Sequence, residues 1–241
     1  MIWHDFALGW QPITAFGDHV PGRELLAIVT AVWLIAAGTA LLSRRTAAAG
    51  GAALAVVYAV FGIFWLPRLY WVTRLYGFSP AHIIGVLDGA AQQAILVSAG
   101  ILVWAYFSGD SSGKARAVHL AWWAFGLSCI VFGLGHYFGV AAVSALVPKW
   151  LAPGGAFWAL FTGTAFMLAG IAILTGILDL LAARLLTAML LVFSALVCLP
   201  WIFQDPRGHE AWGGNAYNLA AAASAWIVAG WLARQDSVHG R

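Results

Sequence analysis

Apolar residues come along this chain in seven long runs, at about residues 24–43, 46–66, 80–107, 118–138, 156–178, 182–201 and 216–233, parted by short polar breaks. About 20 mainly apolar residues cross the roughly 30 Å of a bilayer's hydrocarbon as a helix, and each run is near or above that length. Strands of a membrane barrel would alternate over about ten residues, whereas these runs are continuous. In lipid a helix satisfies its backbone within its own segment. The pattern predicts an all-α bundle of seven transmembrane helices.

Composition agrees. Apolar residues make up 63% of the 241 and charged residues 9%. The mean hydropathy of +0.88 lies far outside the range of water-soluble domains. The net charge of +3 is scattered and forms no basic face for a nucleic acid. Cys129 and Cys198 lie inside apolar runs without the spacing of a metal knuckle or redox pair. The first 20 residues hold Asp5 and Asp18 and lack the charged start of a cleavable signal, so the N-terminus is expected to be retained.

Seven spans would put the termini on opposite sides. The loops on the N-terminal side hold Arg23, Arg68, Arg74, Lys149 and Arg207; the other side holds Arg44, Arg45, Lys114, Arg116, Arg184, Arg234 and Arg241. The positive-inside rule places the second set in the cytoplasm and the N-terminus outside. Trp65, Trp71, Trp150, Trp158, Trp201 and Trp212 fall where the runs meet the outer surface, as an interfacial belt would.

The chain also resembles itself. Residues 20–42 align without gaps to residues 152–174 with eight identities, among them Pro21/Pro153, Thr30/Thr162 and Gly38/Gly170. Leu66-Pro67 then matches Leu199-Pro200, and Gly100 matches Gly230, with slips of one or two residues. The expected organisation is two parallel repeats: residues 1–107 with three spans and residues 108–241 with four. Small residues at Gly50-Gly51, Gly163 and Gly170 offer surfaces on which helices can approach closely.

In the second half, GLGHYFG at Gly133–Gly139 is followed by Val147, Pro148, Lys149, Trp150, Leu151 and Pro153. Thr162-Gly163, Leu168-Ala169-Gly170 and Leu199-Pro200 come next. These residues resemble the DoxX-like family of small four-helix membrane proteins, over about residues 119–234; the first half joins the likeness only through the internal repeat. The family often has a glutamate where this chain has Phe166 and, in the first copy, Leu34. The resemblance implies a bacterial inner-membrane protein. Some members are associated with quinone-linked sulfur oxidation or redox-stress complexes, and distant relatives look like cargo receptors or assembly chaperones.

Ionisable groups inside membrane spans are functional candidates by default. The third run carries Asp88, Gln92 and Gln93, with His82 nearer its outer end. Asp88 and Gln92, four apart, share a helix face. A lone carboxylate at the bilayer centre costs about 3 kcal/mol, so it needs a partner, a proton or water. Asn218, at the repeat position of Asp88, could instead make both residues part of a hydrogen-bonded glue between helices. His4, His19, His82, His136 and His209 fall on the outer side, and imidazole is a common ligand of copper, zinc and haem iron. His4 and His136 are repeat-related. With His209, flanked by Asp205 and Glu210, they are the candidate metal ligands.

Other chemistry is absent: no phosphate-binding GxxxxGKS run, no GxSxG elbow, and no lysine in the last run for a retinal. The expectation is a non-hydrolytic membrane subunit linked to redox or respiratory chemistry. Asp88, Gln92, His82 and His136 would line an outward-facing cavity for a quinone, a lipid or a metal-linked partner. Quinone, haem and copper are the candidate cofactors, and a membrane redox protein or a second copy of the chain the candidate partners. An assembly or cargo-binding protein and a small proton-coupled transporter are the alternatives.

Overall fold

The structure, a computed structural model, describes residues 23–109 and 113–239, with backbone alone at 23, 24, 209 and 236–239. Every regular element among them is helical: α1 (Arg23–Ala40), α2 (Ala47–Tyr76), α3 (Pro80–Phe107), α4 (Lys114–Phe138), α5 (Val140–Leu146), α6 (Gly155–Thr175), α7 (Asp179–Phe193), α8 (Leu199–Gln204) and α9 (His209–His239). A π-helical turn, Ser194–Cys198, joins α7 to α8 into one continuous rod. Six helices are long and apolar enough to cross a membrane. They make this a multi-pass membrane protein in its architecture. The first predicted run forms the shorter α1, whose apolar stretch, Leu25–Ala40, falls below that length.

α2 departs from its expected end. The run was expected to stop at Leu66, yet the helix continues through Pro67 to Tyr76. Its 30 residues span about 45 Å, more than a hydrocarbon core requires, so the last turns outreach the apolar layer. Arg68, assigned from sequence to a loop, is therefore buried on this helix, its guanidinium 4.1 Å above the Trp65 ring. Trp65 is likewise no part of an interfacial belt. It is 3% exposed and packs with Val72 and Val86, its ring pressed against bare Gly89 on α3.

Lipid is as apolar as leucine, so helices in a membrane gain little by burying leucine against each other; close van der Waals contact through small residues holds them instead. Two such seams organise the bundle. Between α2 and α3, a Cβ at Gly51 would stand 2.7 Å from the Gly100 carbonyl oxygen, and one at Gly100 2.6 Å from that of Gly51. Between α4 and α6 the glycines lie seven apart on each helix. Gly133 faces Gly163 (2.6 Å from built Cβ to carbonyl oxygen), and Gly126 faces Gly170, where a Cβ would come within 2.5 Å of the Gly126 carbonyl oxygen. Phe125, Cys129, Phe132, Ile95, Phe166, Ile173 and Val228 fill the core that α3, α4, α6 and α9 enclose. α3 touches α2, α4 and α9 and is the central helix: half of its apolar window is buried, against 28% for α2.

The paired positions of the internal repeat sit in unlike surroundings. Nothing lies within 4 Å of a Cβ built on Gly38 or Gly230, whereas Gly170 and Gly100 are packed against backbone. The two Leu-Pro pairs differ as well. Pro67 lies inside unbroken α2, while Pro200 follows the π turn, in which the Leu199 N–H reaches back five residues to the Ser194 carbonyl. Such a turn loosens the helix where proline's ring crowds the preceding turn and its nitrogen donates nothing.

These environments give opposite expectations for two substitutions that sequence alone would equate. Gly170→Ala must separate α4 from α6 and is expected to cost about 1–3 kcal/mol, lowering the unfolding temperature in detergent. Gly38→Ala meets open space and is expected to leave that temperature unchanged or raise it.

Candidate functional site

Asp88 lies on α3 about 12 Å along the helix from its first residue, well inside the apolar segment. Its neighbours are set by backbone proximity. A Cβ at Gly135 would come within 3.1 Å of Asp88 Oδ1, so the carboxylate rests on the side-chain-free surface of α4. The Gln92 Nε2 donates to Asp88 Oδ2 at 3.4 Å, at the long end of hydrogen bonding. The i, i+4 pair predicted from spacing thus exists, and no cationic side chain among the described residues is seen to pair with the carboxylate.

Two residues join the site that sequence reasoning missed. Tyr217, on α9, lies close enough to Asp88, Cys129 and Tyr58 for charge on them to act upon it. Its hydroxyl is buried without a hydrogen-bond partner. Tyr58, on α2, packs against the same core. A tyrosine inside a mainly apolar run carries no spacing signal, but its position beside Asn218 was the available hint. In lipid an unmade hydrogen bond is costly, so a buried phenol without a partner stands out in this interior.

The other expected cavity residues go elsewhere. His136 follows Gly135 but belongs to another face of α4. Its Nδ1 lies 2.8 Å from the Phe132 carbonyl, its ring tilts against Phe166 at 5.2 Å, and its Cβ meets Gly163. His82 is exposed and stacks on Tyr76 at 4.4 Å and 12°, about 9 Å along α3 from Asp88. Phe166, standing where the DoxX-like resemblance leads one to look for a glutamate, is buried among Phe132, His136 and Phe193. The position is used for aromatic packing.

Of the candidate metal ligands, His4 lies outside the described residues and His209 is described by its backbone alone. Asp205, proposed to complete an oxygen–nitrogen site with His209, turns its carboxylate over Gly208, just before the first turn of α9, where a negative charge suits the helix dipole. No group of three or more His, Cys, Asp or Glu among the described residues is placed to hold a metal ion.

Asn218 is not Asp88's partner either. Its Nδ2 donates to the Leu190 carbonyl at 2.6 Å and to Ser194 Oγ at 2.8 Å, both where the π turn begins. The Ser194 N–H is shared between the carbonyls of Leu190 and Leu191, and Asn218 gives the Leu190 carbonyl a second donor where the ladder is disturbed. The sequence had offered Asn218 and Asp88 as one network. The structure separates them: Asn218 ties α9 to α7, and Asp88 is left with Gln92. Asn218→Leu, which keeps the bulk and removes the donor, is expected to lower stability by about 1 kcal/mol, seen as a lower unfolding temperature, without altering any property of Asp88.

No family model, no curated protein and no solved structure matches the chain.

Proposed function

We propose that this is a non-hydrolytic membrane subunit that binds an apolar ligand bearing hydrogen-bonding oxygens, of the quinone class, at Asp88. The observation that carries the reading is a carboxylate inside the bilayer segment, held by Gln92 and resting on bare Gly135, with an unpartnered tyrosine hydroxyl, Tyr217, buried in the same bundle. A quinone offers two carbonyl acceptors. The Gln92 carboxamide and the Tyr217 hydroxyl are donors, and the carboxyl donates when it carries a proton and accepts when it does not. Gly85, one turn from Asp88 toward the His82 end, has nothing within 4 Å of where its Cβ would stand, which favours an opening on that side. A quinone bound there would supply the electron and proton chemistry. The chain would orient its carbonyls and hold a proton at the Asp88 oxygens.

In this reading the chain is a duplicated DoxX-like bundle of three plus four helices in a bacterial inner membrane. α1 is the seventh span, the N-terminus is outside, and the partner is a membrane redox protein or a second copy. The excess of basic residues near the Arg44–Arg45 turn supports the orientation. A proton-coupled transporter is the second reading, favoured by the absence of a cation seen to pair with Asp88 among the described residues. There Asp88 would be the coupling group.

Two experiments test these readings. Decylubiquinone is expected to bind the detergent-purified protein saturably, and Asp88→Leu, which keeps the bulk and removes the hydrogen-bonding oxygens, to weaken it about tenfold, with the unfolding temperature unchanged or raised. Absence of saturable binding, or equal binding by Asp88→Leu, overturns the ligand reading. In a background without Cys129 and Cys198, Ser79→Cys is expected to react with an impermeant maleimide from the cell exterior and Ser43→Cys only after lysis. The reverse pattern overturns the orientation.

A further inference from the structure

Gln93 takes no part in the candidate site. It stands fourteenth among the 28 residues of α3, about 20 Å from either end and so near the middle of the apolar layer. Neighbouring residues of a helix point about 100° apart. Gln92 therefore donates to Asp88 while Gln93 turns toward α2, where a Cβ built on Gly62 would lie 3.6 Å from the Gln93 Cβ. Gln93 is half-buried, and among the described residues its carboxamide has no hydrogen-bond partner. Unlike the Tyr217 hydroxyl, its polar atoms are not sealed inside the bundle, so a group from outside can reach them.

The face around Gln93 is open and built of small residues. α3 packs on α2, α4 and α9, and the half-exposed Ala90, Ala94 and Val97 share the side that these neighbours leave uncovered. On α2 the half-exposed Ala59 and Gly62 and the exposed Leu66 continue it. Hydrocarbon offers neither donor nor acceptor at this depth. The two N–H bonds and the carbonyl of the carboxamide thus call for a polar group from another polypeptide. A charged group would bring an ion to the bilayer centre, where ions are costly. A second carboxamide brings none, and it is its own complement: each donates an N–H to the other's carbonyl. Two copies of this chain inserted in the same orientation hold every residue at the same depth. Facing each other about a twofold axis along the membrane normal, they bring Gln93 to Gln93. The alanines and Gly62 let the two backbones come close enough for the pair to meet.

We propose that the α2–α3 face centred on Gln93 is where a second copy of the chain docks, with the two Gln93 carboxamides exchanging a pair of hydrogen bonds across the axis. This names the surface used by the second copy offered above as a partner; it rests on that choice of partner and not on the ligand at Asp88.

Two measurements test it, and neither uses a quinone, so their failure is distinct from failure of the ligand reading. In membranes, with Cys129 and Cys198 replaced by alanine, Ala94→Cys is expected to cross-link on oxidation into a species of two 25.6 kDa chains. Leu185→Cys, 60% exposed on α7, which packs on α6 and α9, is expected to stay uncrosslinked. Native mass spectrometry of the full chain from lipid nanodiscs is expected to show a dimer, and Gln93→Leu to weaken it at least about tenfold. Ser98→Ala, buried on the same helix and bonded to its own backbone, is expected to leave the dimer unchanged. A monomeric wild type overturns the proposal, as does a Gln93→Leu dimer as stable as the wild type. So does an equal loss in Ser98→Ala, cross-linking of Leu185→Cys as readily as Ala94→Cys, or a different polypeptide held through Gln93 in place of the second copy.

Discussion

Backbone-to-backbone contact at glycine is the constraint on which this bundle depends. With lipid outside, the burial of leucine and valine that holds a water-soluble bundle together discriminates weakly between helix and solvent. What distinguishes one helix arrangement from another is how closely two backbones can come. Gly51 with Gly100 sets α2 on α3, and Gly126 and Gly133 with Gly170 and Gly163 set α4 on α6. The same closeness delivers Asp88 to α4, because Gly135 has no side chain to keep the carboxylate away. Packing and site share one cause.

Polar residues in this setting fall into three kinds. Most hydroxyls bond back to their own helix: Ser98 to Ala94, Ser128 to Ala124, Thr162 to Trp158, Thr187 to Ala183 and Ser224 to Ala220. They satisfy themselves and link nothing. Asn218 is different because the start of the π turn offers it a carbonyl, Leu190, and a hydroxyl, Ser194, across from its own helix. Asp88, Tyr217 and the Trp231 indole are different again. Each keeps bonding capacity that its neighbours in the chain do not fully use.

The all-helical fold, the membrane class and the boundaries of most helices were legible in the linear pattern, because run length and apolarity respond to the bilayer and to little else. Asp88 and Gln92 were legible too, since four residues along a helix fix a shared face whatever surrounds it. The destinations of the histidines were not. Their place on the outer side grouped His82 and His136 with the carboxylate, but the rotation of each helix about its axis turned His82 outward and His136 toward α6.

By itself, then, the sequence determined how many residues could lie in lipid and which of them shared a helical face, because those properties are local. Tertiary structure alone decided the rest. It buried Trp65 on Gly89, gave Asn218 to the π turn, rested Asp88 on Gly135 and left the Tyr217 hydroxyl and the Trp231 indole without a partner. The physical reason is that a polar group's role in lipid is set by the atoms it meets on neighbouring helices. Which atoms those are follows from helix rotation and approach at glycine contacts far apart in the chain.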